Sequence, residues 1–192
     1  GDPRPGNAKF KKLTPVDENS ANPYTLTDDD RTVIGNTTPK FSGGFGLNAT
    51  FKGFDVSAFF NFMYDFDVFN ANKVMMTTWA SNNYNNFSMD ISAAKRWRNF
   101  DDMGNEIRYS PEFLAEFNMN ATMWIAASIG RPIAMSYAVE DGSFLRLNTA
   151  TIGYTLPRAW TNKVGLSRVR FYASGYNLFT ITGYSGYDPE VD

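Results

Sequence analysis

Carboxylates are the main groups in this sequence that could perform acid–base or metal chemistry. The 192 residues include no cysteine and no histidine, which excludes Cys/His zinc sites, disulfides and Ser-His triads. Asp28-Asp29-Asp30 offers the oxygen ligands that a hard cation such as calcium prefers. A run of like charges is more often a solvated loop. We therefore expect no metal site, no cofactor and no catalytic residues.

A carboxylate-based glycosidase is one function that the remaining acids raise. Such an enzyme holds two carboxyl groups about 5–9.5 Å apart. Asp55 and Asp65 share one face of a predicted strand, yet their spacing corresponds to about 33 Å along it. Asp101-Asp102 precedes Gly104-Asn105, a combination typical of a turn. The sequence therefore predicts that the protein is not an enzyme.

Aromatic side chains are the other candidate functional groups. Phe, Tyr and Trp make up 16% of a chain whose mean hydropathy is −0.36, the value of a polar protein. Four of them lie in a long Asn-rich segment and could stack on sugar rings as substrate contacts: Trp79, Tyr84, Trp97 and Tyr109. The alternative, which we favour, is that these rings pack the segment onto its neighbours.

Composition narrows the class of protein further. The net charge of −2 provides no basic surface for a nucleic-acid partner. No run of 18 apolar residues is present, so a transmembrane helix is excluded. A transmembrane β-barrel combines aromatic girdles with a polar lumen and polar loops, which matches this composition.

Two alternating stretches predict a hairpin that could form part of such a barrel. Apolar residues alternate with polar or small ones over 41–51 and again from Phe54 to Tyr64, although Phe59 and Met63 interrupt the polar side. Lys52-Gly53 suits a two-residue turn. Phe51 and Phe54 then face each other, so both apolar stripes share one face. We predict that these two phenylalanines are membrane-interface aromatics.

Two further strands are predicted near the end of the chain. In 143–155 the apolar positions change phase after Leu147, which indicates a β-bulge. A shorter turn leads to the last strand, 168–182, and Arg146, Arg168 and Arg170 are expected to line a polar lumen as structural residues. Within the long segment before these strands, short helices are predicted from Ser88 to Trp97 and from Ser110-Pro111 onward.

Specific strings then suggest a family. Asp29-Asp30-Arg31-Thr32-Val33-Ile34-Gly35-Asn36, Lys52-Gly53-Phe54-Asp55-Val56-Ser57, Glu140-Asp141-Gly142-Ser143-Phe144-Leu145-Arg146-Leu147, Gly153-Tyr154-Thr155-Leu156-Pro157 and Tyr184-Ser185-Gly186-Tyr187-Asp188-Pro189-Glu190 resemble, in order and spacing, the SusC-like family of TonB-dependent transporters. A calcium-like Asp-x-Asn-x-Asp-Gly run common in the family is absent here.

The resemblance implies a fold and a role. It implies the C-terminal part of an all-β, antiparallel outer-membrane barrel of about 22 strands with a plugged lumen. It also implies import of oligosaccharides or peptides in a Gram-negative cell, with a SusD-like lipoprotein as partner and energy from TonB through an N-terminal part that this chain lacks.

The expected organisation follows from these elements. Residues 1–38 form an extracellular loop, 39–70 a barrel hairpin, 71–142 a long extracellular loop with short helices, 143–182 two further strands and 183–192 the start of another loop. Because no closing strand follows, the chain is expected to be a fragment that lacks the final strand. The alternative is a soluble β-sandwich that binds carbohydrate, in which the apolar faces would meet in one core.

Overall fold

A computed structural model describes residues 5–21, 23–78, 87–92, 94–125 and 133–190 of the chain. The chain divides into two compact units. Gly1–Ile34 and Asn70–Ala138 form the first, here called the loop unit. Gly35–Phe69 and Val139–Asp192 form the second, here called the sheet unit.

Strands and short helices make up the regular structure. The strands are β1 (Phe41–Phe51), β2 (Phe54–Tyr64), β3 (Asp67–Phe69), β4 (Val139–Asp141), β5 (Phe144–Thr155) and β6 (Arg170–Thr182). The α-helices are α1 (Ala71–Thr77), α2 (Pro111–Asn118) and α3 (Arg158–Thr161). Within the described residues no helix is long and apolar enough to cross a membrane.

The sheet unit is organised around one antiparallel sheet in the order β1-β2-β5-β6. All four strands predicted from the alternating pattern are confirmed, with ends that differ by no more than two residues. β3 and β4 were not predicted; they form a separate short two-stranded sheet in the same unit. Three residues are too few to show a recognisable alternation, so this pairing leaves no signal in the sequence.

The β1–β2 hairpin has the predicted turn and register. Lys52 and Gly53 adopt φ values of 46° and 90°, the positive values that favour glycine in such turns. Phe51 and Phe54 are paired directly across the turn. A Cβ atom at Gly53 would also lie 2.8 Å from the carbonyl oxygen of Thr155, so the close approach of β5 requires glycine here.

The predicted bulge in β5 is confirmed. The register against both neighbouring strands shifts between Leu147 and Thr149. Leu145 and Leu147 therefore lie on the same face of the sheet as Ala150 and Ile152, despite the change of phase in the sequence.

The loop unit contains short helices and turns. α2 begins at Pro111 as predicted, although the Ser110 side chain forms no capping hydrogen bond. The helix predicted from Ser88 to Trp97 is wrong: the described residues of this stretch contain a 3₁₀ turn at Met89–Ile91 and no α-helix. The backbone N–H of Trp97 donates instead to the carbonyl of Met123 at 2.8 Å, a long-range bond that replaces a helical one.

Candidate functional site

A row of aromatic side chains crosses the sheet at its hairpin end. The register pairs Phe51 with Phe54, Phe54 with Tyr154 and Tyr154 with Phe171, so one aromatic residue comes from each strand. The rings of Phe54 and Tyr154 lie 4.4 Å apart between centroids. Phe51 and Phe171 are 70% and 64% exposed. These four residues, here called the aromatic row, present a continuous apolar edge to the surroundings.

The same face is apolar over the remaining length of the sheet. Phe41 and Tyr64 stack at its other end, with ring centroids 4.9 Å apart. Between the two ends the register aligns the following residues on this face: Gly43, Phe45, Leu47, Ala49, Val56, Ala58, Phe60, Phe62, Leu145, Leu147, Ala150, Ile152, Ala173, Gly175, Phe179 and Ile181. Many of the large side chains are exposed, which a soluble sandwich would not permit.

The height of this apolar face matches a bilayer. Phe41 and Phe51 are at opposite ends of β1, which at the usual rise are about 34 Å apart along the strand. A barrel strand tilted by about 40–45° then spans about 25 Å across the membrane, the height of the apolar band of outer-membrane barrels.

The opposite face is polar and internally paired. Arg170 on β6 donates from Nε to Asp55 on β2 at 3.0 Å, and a second guanidinium nitrogen contacts the other carboxylate oxygen. Thr151 and Ser174 share a hydrogen bond of 2.8 Å. The side chains of this face therefore suit the wet interior of a barrel.

Phe59 interrupts this polar face because β1 leaves space for its ring. A Cβ atom at Gly44 would lie 2.8 Å from the tip of the Phe59 ring. A Cβ atom at Gly46, two residues on, would lie 3.8 Å from the same ring. The glycines of β1 thus accommodate an aromatic side chain that the alternation alone does not explain.

Arg146 fixes the segment that follows β6. Its guanidinium donates to Asp188 at 2.5 Å, to Glu190 at 2.7 Å and to Thr180 at 3.1 Å. The arginine side chain is only 11% exposed. The Nε, Nη1 and Nη2 groups of Arg146 all donate to groups of the same chain. These bonds give Arg146 a structural role.

Asp30 of the acidic run Asp28-Asp29-Asp30 has intramolecular partners as well. One oxygen of Asp30 accepts from the backbone N–H groups of Leu13 and Thr14 at 2.8 and 2.7 Å, and the other accepts from Thr27. These donors, Thr14 first, hold the pKa of Asp30 well below its usual range. Within the described residues no group of three or more acids, His or Cys could hold a metal ion.

The acidic pair Asp101-Asp102 lies in a turn, as the following Gly104-Asn105 predicts. Asn105 donates its side-chain amide to Asp101 at 2.9 Å, and this bond lowers the pKa of the Asp101 carboxyl. The backbone N–H groups of Met103 and Asn105 donate to the other oxygen of Asp101. These bonds are local turn chemistry.

Two of the four candidate substrate-contact aromatics, Trp97 and Tyr109, lie within the described residues. Trp79 and Tyr84 lie outside the described residues. Trp97 is half-buried, and its ring occupies the space where Gly6 has no side chain. Tyr109 is 79% exposed. Of the two described rings, Tyr109 is the one available to a ligand.

Comparison with known proteins identifies the family. TonB-dependent receptor P3 of Formosa agariphila is 33% identical over all 192 residues. TonB-dependent receptor SusC of Bacteroides thetaiotaomicron is 30% identical over an alignment of 131 positions that covers 63% of this chain. The chain belongs to the SusC-like TonB-dependent receptors. It spans 16% of the length of receptor P3 and 13% of SusC. No protein-family model matches the chain.

Solved structures show the same fold as this SusC-like chain. A chain of the RagAB peptide importer in the 'closed-closed' state gives a TM-score of 0.63 at 22% identity, covering 86% of this chain and 16% of that one. The 'open-open' state gives 0.59 at 24% identity. The sheet is thus a segment of a large antiparallel transmembrane β-barrel in the outer membrane of a Gram-negative bacterium, as predicted.

Sequence reasoning missed part of the aromatic content of this SusC-like segment. Tyr154 and Phe171 complete the aromatic row, but only the register of β5 and β6 reveals it. In the loop unit, Trp124 and Tyr137 pack edge to face at 4.8 Å, and the Lys73 ammonium lies 4.5 Å from the Tyr137 ring. The density of aromatic residues in the long segment was the only signal for this cluster.

Proposed function

We propose that this chain forms part of the barrel wall, and a long loop, of a TonB-dependent importer of nutrients across the outer membrane. The single observation that carries the proposal is the two-faced sheet, apolar on one side across all four strands and polar and ion-paired on the other. A wall between lipid and a wet lumen needs both faces. The names of the relatives, TonB-dependent receptors, support the same role.

The proposed topology assigns each segment to a side of the membrane. Outer-membrane barrels have short periplasmic turns and long extracellular loops. The Lys52-Gly53 turn and the connection that contains α3 then face the periplasm. Residues 1–38, 71–142 and 183–192 belong to extracellular loops, whereas 39–70 and 143–182 cross the membrane. Phe51 and Phe54 lie at the periplasmic interface.

We extend the proposal to partners and cargo. The partners are a SusD-like surface lipoprotein and TonB, which supplies energy through a part of the receptor outside this chain. The cargo is an oligosaccharide or a peptide, as the family resemblance implies, and the structural neighbour RagAB is a peptide importer. Among the loop aromatics Trp79, Tyr84, Trp97 and Tyr109, the proposed substrate contact is Tyr109, which is 79% exposed, whereas the Trp97 ring packs against Gly6.

Growth of the native organism tests the import role. The gene for the full-length receptor is deleted, and growth is measured with a casein digest or a mixed plant oligosaccharide fraction as the limiting nutrient. We expect loss of growth on one of these two probes, with rescue by the intact gene and none in a strain without TonB. Unchanged growth of the deletion strain on both would contradict the proposal.

A single substitution then tests the contact residue. Tyr109→Ala should raise the nutrient concentration needed for half-maximal growth severalfold, because stacking of the cargo on one aromatic ring contributes about 1 kcal/mol. Phe113→Ala is the matched control, since Phe113 is another exposed aromatic of the same unit. If the two substitutions have equal effects, Tyr109 is not a specific substrate contact. The proposal that the receptor imports a nutrient would be unaffected by that result.

A further inference from the structure

The two ends of the four-stranded sheet carry opposite charge. Within the described sheet unit, the hairpin end has one carboxylate, Asp55, and the following cations: Lys52, Arg158, Lys163, Arg168 and Arg170. The opposite end has two cations, Lys40 and Arg146, and the following acids: Asp65, Asp67, Glu140, Asp141, Asp188 and Glu190. Strong segregation of this kind favours partners of opposite sign.

Most of the cations at the hairpin end are available to an external anion. Arg170 is paired with Asp55. In the part of the chain that the structure describes, the other four are exposed and form no ion pair: Lys52, Arg158, Lys163 and Arg168. Because Asp55 is the one carboxylate among these five cations, the hairpin end of the described sheet unit keeps a net positive charge. Its cations are here called the basic rim.

Exposed apolar groups accompany these cations. The connection from β5 to β6 leaves Trp160, Val164 and Leu166 61%, 70% and 49% exposed. The Lys52 ammonium lies 5.2 Å from the centroid of the Phe51 ring, at one end of the aromatic row. Tryptophan, aliphatic and basic side chains side by side are the composition of a membrane–water interface.

A recess lies where the aromatic row meets this rim. It is open to the outside and has a volume of about 550 Å³. Its lining includes Phe51, Phe54 and three cations, Lys52, Arg168 and Arg170. The Asp55 carboxylate also lines the recess and is paired with Arg170, so Lys52 and Arg168 are the cations left for an external anion. Arginine and lysine are the residues that bind phosphate oxygens, and the two rings border the hydrocarbon layer.

We propose that this basic rim binds the headgroups of anionic phospholipids in the adjoining leaflet. The recess would receive a phosphodiester, while the acyl chains run along the apolar face that begins at the aromatic row. A lipid fits better than an acidic protein segment because the cations stand beside lipid-facing rings and exposed aliphatic groups. Each basic residue near an anionic bilayer strengthens the attraction about fivefold.

Lipid retention by the full-length receptor tests the proposal. The receptor is placed in nanodiscs of equal parts phosphatidylglycerol and phosphatidylcholine, and the lipids that stay bound on release are counted by native mass spectrometry. The test variant combines Lys52→Gln with Arg168→Gln. The control combines Lys9→Gln with Lys11→Gln, two exposed lysines of the loop unit, and has the same change in net charge.

The native receptor should retain phosphatidylglycerol in preference to phosphatidylcholine, and the test variant should lose this preference by about 5- to 25-fold. The control should keep it. An absent preference, or equal losses in both variants, would overturn the proposal. So would a test variant that keeps its lipids but melts at a lower temperature in detergent, because the two cations would then pair with an acidic segment of the receptor.

Discussion

Moving a positive charge from the lumen face to the lipid face of β2 should cost several kcal/mol, and two adjacent residues allow the comparison. Ala58 is flanked by Leu47 and Ala150 on the apolar face. Ser57 is flanked by Asn48 and Thr151 on the polar face. The variants Ala58→Arg and Ser57→Arg therefore add the same side chain to opposite faces at nearly the same depth.

The depth of Ala58 sets the magnitude. It lies four residues from Phe54 and six from Tyr64, at the two ends of β2. With the usual rise and tilt this is about 10 Å inside a band of about 25 Å, close to the midplane. Arginine on the lipid face costs about 2–4 kcal/mol at that depth, which lowers the folded-to-unfolded ratio by about 30-fold to nearly 1,000-fold.

Chemical unfolding of the full-length receptor measures this difference. The receptor is inserted into phosphatidylcholine vesicles and titrated with guanidinium chloride, with tryptophan fluorescence as the signal. Ala58→Arg should lower the free energy of unfolding by the stated amount, and Ser57→Arg by less than about 1 kcal/mol because its side chain reaches water. Equal losses for the two variants, or a larger loss for Ser57→Arg, would show that we have assigned the faces of the sheet wrongly.

Three further changes probe other contacts. Gly44→Val should lower the free energy of unfolding by about 1–3 kcal/mol in the same assay, because the new side chain meets an aromatic ring, whereas Gly46→Ala should be nearly neutral. Arg146→Gln should expose the segment after β6 to chymotrypsin; cleavage no faster than in the native receptor would argue against the anchor. The lowered pKa of Asp30 means that its stabilising effect is present above the unfolded-state pKa of about 3.9 and is lost as the pH falls toward the folded value. The protection factors against hydrogen exchange of the amides that donate to Asp30 should therefore fall progressively below about pH 4, and Asp30→Asn should remove that dependence, whereas Asp28→Asn should keep it.

The strands were predictable because a sheet between two different environments has to alternate. The alternation extends over eleven residues in each of β1 and β2, and the two-residue turn at Lys52-Gly53 sets the register between the two strands. The bulge in β5 was predictable for the same reason. When the apolar positions change phase within one strand, a bulge is needed to keep them on one face of the sheet.

The loop unit was not predictable to the same degree. α1 was missed because its stabilising contacts are specific, such as Asn70 accepting from the backbone N–H of Lys73. The wrongly predicted helix near Trp97 shows the same limit, because the β-bridge between Arg96 and Met123 outweighs the local helix propensity. In the candidate site, Phe51 and Phe54 follow from local pairing, whereas Tyr154 joins them only through a strand many residues away.

The bulge at Asn148 also limits how the gene can change. Loss of that one codon would put Leu145 and Leu147 on the water-facing side and turn Arg146 toward the hydrocarbon, without any substitution. Strands of such a wall can therefore gain or lose residues only when a compensating bulge appears or disappears. In the connecting segments the side chains do not alternate between two faces, so insertions and deletions should accumulate there.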